Sequence, residues 1–158
     1  MQCNWLKFVI SIIITEGAGG LGSIFTYEAI PTWYAALNKS PITPPNWLFA
    51  PMWLTLYFLM GIALYLVWTS GRNRKELVLP YVLFFIQLAL NVIWSLIFFG
   101  LHEILFGAVE IVFLWFFIVA TIIEFRAVSK VSAYLLFPYL SWGTVATLLN
   151  FSILWINT

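Results

Sequence analysis

The chain reads as long apolar runs with sparse polar interruptions. No charged residue falls between Ser40 and Gly71, between Leu77 and Leu101, or between Val131 and Thr158. Ile104 to Ile123 carries only Glu110, and Phe8 to Tyr27 only Glu16. A membrane-spanning helix needs roughly 20 mainly apolar residues, and the pattern predicts five, near 5–27, 46–69, 78–100, 104–125 and 131–155. Runs this long are unlike the alternating segments of about ten residues that build an outer-membrane barrel. Within lipid the backbone must pair inside its own segment, which makes each run a helix. The expected fold is all-α, an integral membrane bundle of five transmembrane helices, with 1–158 as a single domain.

The helix breakers punctuate this pattern. Pro31, Pro41, Pro44 and Pro45 lie between the first two helices, Gly71 closes the second, and Gly100 ends the third. Pro80 is expected in the first turn of the third helix, where a missing N–H costs little. Pro51 and Pro138 fall within helices and predict local bends, with the freed carbonyls paired inside the bundle. The other loops are short, so neighbouring helices are expected antiparallel. Glu28 to Pro45 is the one long connection and a candidate functional loop or lid. Lys7, a short apolar run and Gly17 to Gly20 have the ingredients of a cleavable signal. The apolar Leu21 to Phe25 beyond the glycines, and the charged Glu16, favour a retained helix.

Composition narrows the class further. Of 158 residues, 63% are hydrophobic, 20% aromatic and 8% charged, and the mean hydropathy is +1.01. A soluble domain is about 25% charged; seven Lys+Arg with six Glu and no Asp cannot clothe one. A net charge of +1 gives no basic footprint for nucleic acid. One cysteine, Cys3, excludes an internal disulfide, and one histidine, His102, excludes a multi-histidine metal site. Lys7, Arg72, Arg74, Lys75, Arg126 and Lys130 fall at one end of the expected bundle and Lys39 alone at the other. That asymmetry predicts a cytoplasmic N-terminus, an outer C-terminus and an outward proline-rich loop.

Nine tryptophans need a reason. Trp5, Trp68 and Trp155 lie near helix ends, where indoles sit at the membrane interface. Trp33 and Trp47 flank the long loop, and Trp53, Trp94 and Trp142 lie deeper in their helices. On the third helix Gln87, Asn91 and Ser95 form a polar stripe beside Trp94 and Phe98. On the fifth, Ser141, Thr144, Thr147 and Asn150 form a second seam, with Tyr139, Trp142 and Ala146 on an adjoining face; Tyr57 follows Trp53 by one turn. Two readings are open. The polar groups are glue between helices, or they line an inter-helix pocket walled by flat rings, suited to a large, planar, mostly apolar ligand.

Glu16 and Glu110, deep in their spans, are either proton sites or neutral acids bonded to a neighbouring helix, and Glu124 is interfacial. His102 is either solvated in its loop or a haem-iron ligand. Ala18/Gly22 and Gly19/Ser23 have the small-xxx-small spacing of close helix packing, within the bundle or in a dimer. No nucleophile elbow, P-loop, dinucleotide fingerprint or Glu-x-x-His pair is present, so any catalysis falls to redox-capable Trp and Tyr. Proton-coupled transport through Glu16 and Glu110 is a further reading, though five spans without a detectable repeat do not resemble an inverted-repeat transporter.

The stretch from Pro31-Thr-Trp33-Tyr34 through Pro41-Ile-Thr-Pro44-Pro45-Asn-Trp47 to Pro51-Met-Trp53 resembles the first loop and second helix of the TspO/MBR family. These are tryptophan-rich sensory proteins and the related translocator protein, or peripheral benzodiazepine receptor. Gln87-Leu-Ala-Leu-Asn91-Val-Ile-Trp94-Ser95 and Pro138-Tyr139-Leu-Ser-Trp142-Gly-Thr-Val-Ala146 agree, in order and at family spacing. The resemblance implies a five-helix, commonly dimeric membrane receptor that binds porphyrins, haem, related tetrapyrroles and isoquinoline-type ligands, with no obligatory cofactor and no metal site. It implies a pocket at Trp33, Tyr34, Trp53, Tyr57, Asn91, Trp94, Trp142 and Ala146. Some bacterial members are similar to a light-dependent porphyrin-degrading enzyme, and that pattern would make Trp53 and Trp142 photochemical residues. Phe151 stands where animal members carry a sterol-associated tyrosine and nothing after Lys130 is basic, which tilts the expectation to a bacterial cytoplasmic membrane.

Overall fold

The computed structural model describes residues 4–41 and 43–157; Cys3 lies outside them. Of the described residues 86% are helical, and among them five helices are long and apolar enough to cross a membrane. The first is α1 (Trp5–Ala29), started by Asn4, whose side chain accepts a hydrogen bond from the Lys7 amide at 3.2 Å. A short turn, α2 (Trp33–Ala36), sits in the long loop. A 3₁₀ turn over Asn46–Leu48 leads into α3 (Phe49–Trp68), so Pro51 occupies the first α-helical turn, where its missing N–H has little consequence. Gly71, at φ +75°, turns the chain out of α3.

The second connection departs from expectation. Here α4 (Arg74–Ser95) begins at charged residues, because Asn73 accepts from the Glu76 amide at 3.2 Å and its own amide donates to the Glu76 carboxylate. Pro80 therefore lies inside the helix and not in its first turn. A π-helical turn over Leu96–Gly100 ends this span. The fourth span is α5 (Ile104–Val128). The fifth is two helices, α6 (Lys130–Leu135) and α7 (Phe137–Asn157), interrupted at Leu136. Pro138 has no N–H for the Tyr134 carbonyl and its ring crowds that carbonyl, which accounts for the break.

Burial separates two kinds of apolar residue. Met60, Phe84, Phe98, Phe125, Leu136 and Tyr139 fill the centre. Ile13, Leu54, Phe113, Phe116 and Leu148 are more than half exposed, the arrangement of side chains that face lipid. Glycines set two helix crossings. A Cβ on Gly61 would lie 2.6 Å from Cδ1 of Ile12, and one on Gly107 would lie 2.9 Å from Cδ2 of Phe98. Small residues at these points let α1 meet α3, and α5 meet the end of α4, at backbone distance. Lys7 and the Arg72–Glu76 pair lie at one end of the bundle, where the Lys7 ammonium stands 5.4 Å from the Trp68 ring and Arg72 donates to the Ala127 carbonyl at 3.4 Å.

At the other end the loop is held down. The Asn38 amide donates to Oδ1 of Asn157 at 3.1 Å, and Nδ2 of Asn157 donates to the Asn38 carbonyl at 2.9 Å. Lys39, lying 4.8 Å over the Tyr34 ring, donates to the carbonyls of Tyr34, Ala35 and Leu37. His102, at φ +60°, stacks on Trp33 with ring centroids 4.4 Å apart and planes 13° from parallel. Tyr34 is buried against Phe49, Phe98 and Phe99, and that burial pushes its phenol up to about 12.

Candidate functional site

A cavity of about 400 Å³ lies between α1, α3 and α4. Its origin is steric. Gly19 lets α1 rest on the face of Tyr57, since a Cβ there would fall 2.5 Å from Cδ2 of the ring. Gly22 similarly leaves room for Oγ of Ser95, 3.1 Å from where its Cβ would be. The cavity extends along α1 from Glu16 to Ile30, facing α3 and α4. Ile30 and Pro31 roof it, Phe49, Trp53 and Tyr57 form the α3 wall, and Asn91, Trp94, Ser95 and Phe99 form the α4 wall. The mouth runs between Ser23 and Tyr27 on α1 and Ala50 and Leu54 on α3, all exposed.

The rings of the walls are ordered against one another. Trp53 sits 5.8 Å from Tyr57 and 6.3 Å from Trp94, tilted 32° and 38°. Trp94 stacks on Phe98 at 5.7 Å and meets Phe99 edge-on at 5.6 Å. Behind them runs a polar chain. The Tyr57 hydroxyl donates to Oδ1 of Asn91 at 2.6 Å, and Nδ2 of Asn91 donates to the Tyr139 hydroxyl at 2.7 Å. The Trp94 indole donates to Oδ1 of Asn150 at 3.3 Å, whose amide donates to the Ala146 carbonyl at 3.0 Å.

Of the eight residues the sequence pointed to, Trp53, Tyr57, Asn91 and Trp94 line this cavity. The other four form a layer behind it. Trp33 and Tyr34 pack on Phe98 and Phe99, Trp142 meets Phe49 edge-on at 5.8 Å, and Ala146 lies against Asn150. The indole N–H of Trp142 has no hydrogen-bond partner among the described residues, nor does either carboxylate oxygen of buried Glu110. Trp53 and Trp142 are thus not two faces of one slot.

The α1 wall was not expected. Glu16, Gly19, Ser23, Thr26 and Ile30 all line the cavity. Their spacing of three, four, three and four residues is a seam along one helix face, a signal present in the sequence but read there as a packing motif and as an acid that is either a proton site or bonded to a neighbouring helix. His102 stacks on Trp33 and is not among the residues lining the cavity. Among the described residues no cluster of three or more His, Cys, Asp or Glu is placed to hold a metal ion.

A model of the TspO/MBR family matches residues 10–156. The chain belongs to the TspO/MBR family. It is 46% identical over 154 residues to the tryptophan-rich protein TspO of Archaeoglobus fulgidus, covering 98% of this chain and 99% of that one. It is 38% identical over 152 residues to the translocator protein of Ovis aries, covering 96% and 90% respectively. Against the tryptophan-rich sensory protein of Cereibacter sphaeroides the figure is 30% over 157 residues, 99% of this chain and 95% of the other. Family membership and the five apolar spans make this an integral membrane protein, and the relatives support a membrane sensor or receptor role.

Proposed function

We propose that this protein is a membrane receptor that binds porphyrins and related tetrapyrroles in the cavity between α1, α3 and α4. The observation that carries the reading is the cavity itself: about 400 Å³, walled by Trp53, Tyr57, Trp94, Phe49 and Phe99 beneath Ile30 and Pro31. That size falls within the roughly 300–1,000 Å³ of small-molecule sites, and flat rings on two walls suit a flat, mostly apolar ligand. The mouth between α1 and α3 admits a hydrophobic ligand from the side. Isoquinoline-type compounds, which are flat and apolar too, are expected to compete for the same space. The excess of basic residues at the Lys7 and Arg72 end supports a cytoplasmic N-terminus. The lack of any basic residue after Lys130 supports a bacterial cytoplasmic membrane, with the protein working as a homodimer.

The test is a titration of the purified full chain in lipid nanodiscs with protoporphyrin, read by tryptophan quenching. Saturable quenching is expected, and Trp53→Ala should weaken it about tenfold, the equivalent of ~1.4 kcal/mol of lost ring contact. Absence of saturable quenching, or an unchanged affinity in Trp53→Ala, overturns the assignment. A photochemical role has one favouring observation: Trp53 is both a wall of the cavity and 6.3 Å from Trp94, so an excited ligand would have an indole electron donor beside it. Loss of the bound porphyrin's absorption under light, slowed in Trp53→Phe and unaffected by Trp142→Phe, would support that second reading.

A further inference from the structure

The polar groups around the cavity are unequal. Several of its donors are already engaged: the Trp94 indole on Asn150, the Asn91 amide on Tyr139 and the Tyr57 hydroxyl on Asn91. The hydroxyls of Ser23, Thr26 and Ser95 donate back to carbonyls of their own helices, at 2.7, 3.2 and 3.3 Å. Among the described residues that line it, no cationic side chain is placed to grip an anionic edge of a ligand.

Glu16 is different. It lines the cavity from α1, one turn below Gly19, the residue on which the Tyr57 ring closes. No Lys, Arg or His lines the cavity with it, and among the described residues Glu16 makes no ion pair. Lys7, the cation on the same helix, is at its far end over Trp68. A carboxylate in the hydrocarbon layer is held at a cost unless a counter-charge or a donor meets it. The rings of Trp53 and Tyr57, which line the same cavity, attract cations to their faces.

We infer that Glu16 is the specificity-determining residue of this cavity, and that it recognises a basic nitrogen on a flat, ring-bearing ligand. The nitrogen sits between the Glu16 carboxylate and the faces of Trp53 and Tyr57, with the ligand's rings rising toward Trp94 and Phe99. Acidic substituents of such a ligand turn away toward the mouth. The inference rests on the reading of the cavity as a ligand site, and it names the chemistry that site selects.

The experiment compares two probes with one ring system, protoporphyrin dimethyl ester, which is neutral, and a protoporphyrin diamide with tertiary-amine arms, which is cationic at neutral pH. Both are titrated into the full chain and its Glu16→Gln variant in phosphatidylcholine nanodiscs, where the bilayer itself carries no net charge. The wild-type protein is expected to hold the amine about tenfold more tightly than the ester, ~1.4 kcal/mol. In Glu16→Gln that preference should vanish, and saturable binding of the ester shows that the variant is folded. Equal binding of both probes to the wild type, or a preference that survives in Glu16→Gln, overturns the role of Glu16 and leaves the ligand site standing. Failure of both probes to bind the wild type overturns the site and this inference together.

Discussion

Gly19→Ala tests how the cavity is made. The new Cβ would lie 2.5 Å from Cδ2 and 2.7 Å from Cε2 of Tyr57. Carbon atoms settle at about 3.5–4.0 Å, so roughly 1 Å of overlap must be relieved. The ring is not free to yield, because its hydroxyl is tied to Asn91 at 2.6 Å and Trp53 stands 5.8 Å away. Either α1 moves out or the buried hydrogen bond breaks. Overpacking of this kind costs about 1–3 kcal/mol, and an orphaned buried hydroxyl adds about 1–3 kcal/mol. Against that stands the gain of about 0.5–1 kcal/mol from replacing glycine by alanine in a helix. Gly17 and Gly20 supply internal controls, since a Cβ at either would meet nothing within 4 Å. Gly17→Ala and Gly20→Ala should therefore stabilise slightly while Gly19→Ala destabilises, three substitutions of one chemistry within one turn of helix. Equilibrium unfolding in mixed micelles, followed by tryptophan fluorescence, gives the order. In a Tyr57→Phe background, where the ring is untethered, the Gly19→Ala penalty should shrink. If Gly19→Ala proves as stable as its two neighbours, the contact between α1 and Tyr57 does not set the cavity.

Three further outcomes follow from the same geometry. Asn91→Ala strands the hydroxyls of Tyr57 and Tyr139 and should cost about 1–3 kcal/mol in the same unfolding assay, with most of it recovered when both tyrosines become phenylalanine. Asn157→Ala removes both hydrogen bonds to Asn38, each worth about 0.5–1.5 kcal/mol; limited proteolysis should cut the loop faster while the bundle's unfolding midpoint hardly moves. Tyr34 has its ionisation pushed from 10.0 up to about 12 by burial, so the fold holds the neutral phenol. That contribution is complete below pH 10 and lost as pH rises through about 12; ultraviolet difference titration should show the late-ionising component reduced by one tyrosine in Tyr34→Phe.

The fold was legible because lipid imposes a length. Charge-free runs such as Leu77 to Leu101 leave few alternatives to a span, and the five helices stand where hydropathy puts them. Ends governed by local chemistry were less visible. Arg74 to Glu76 look like loop, yet the Asn73–Glu76 pair starts α4 there and carries Pro80 inside the helix. The site was legible only in part, for a related reason. Periodicity says which residues share a face of one helix but not how far neighbouring helices slide or rotate. Trp53, Asn91 and Trp94 needed only the contact of α3 with α4. The position of Trp142 depended on the register of α7, which places Phe49 between it and the cavity. The α1 wall was hidden because glycine and serine carry little signal until something is seen to rest on them, as Tyr57 does on Gly19.

The polar stripe of α4 admitted two meanings, helix glue or ligand contact, and Asn91 shows that they are not exclusive. Its side chain borders the cavity while its carbonyl and amide are committed to Tyr57 and Tyr139. A group in that position holds the walls at a fixed separation and offers the ligand little hydrogen bonding of its own. The same holds for Trp94, whose indole is committed to Asn150. Shape is then set by a network reaching from α3 through α4 to α7, so that a flat ligand would meet a gap between rings prepared before it arrives. With the Asn91 and Trp94 donors absorbed by that network, charge selectivity falls to Glu16, the one carboxylate among the described residues lining the cavity. Loosening the network and neutralising Glu16 should therefore have separable effects. Asn91→Ala should weaken neutral and cationic porphyrins alike, whereas Glu16→Gln should weaken only the cationic one. If both variants lose the two ligands in the same ratio, frame and charge do not act independently, and the division of labour drawn from the hydrogen bonds is wrong.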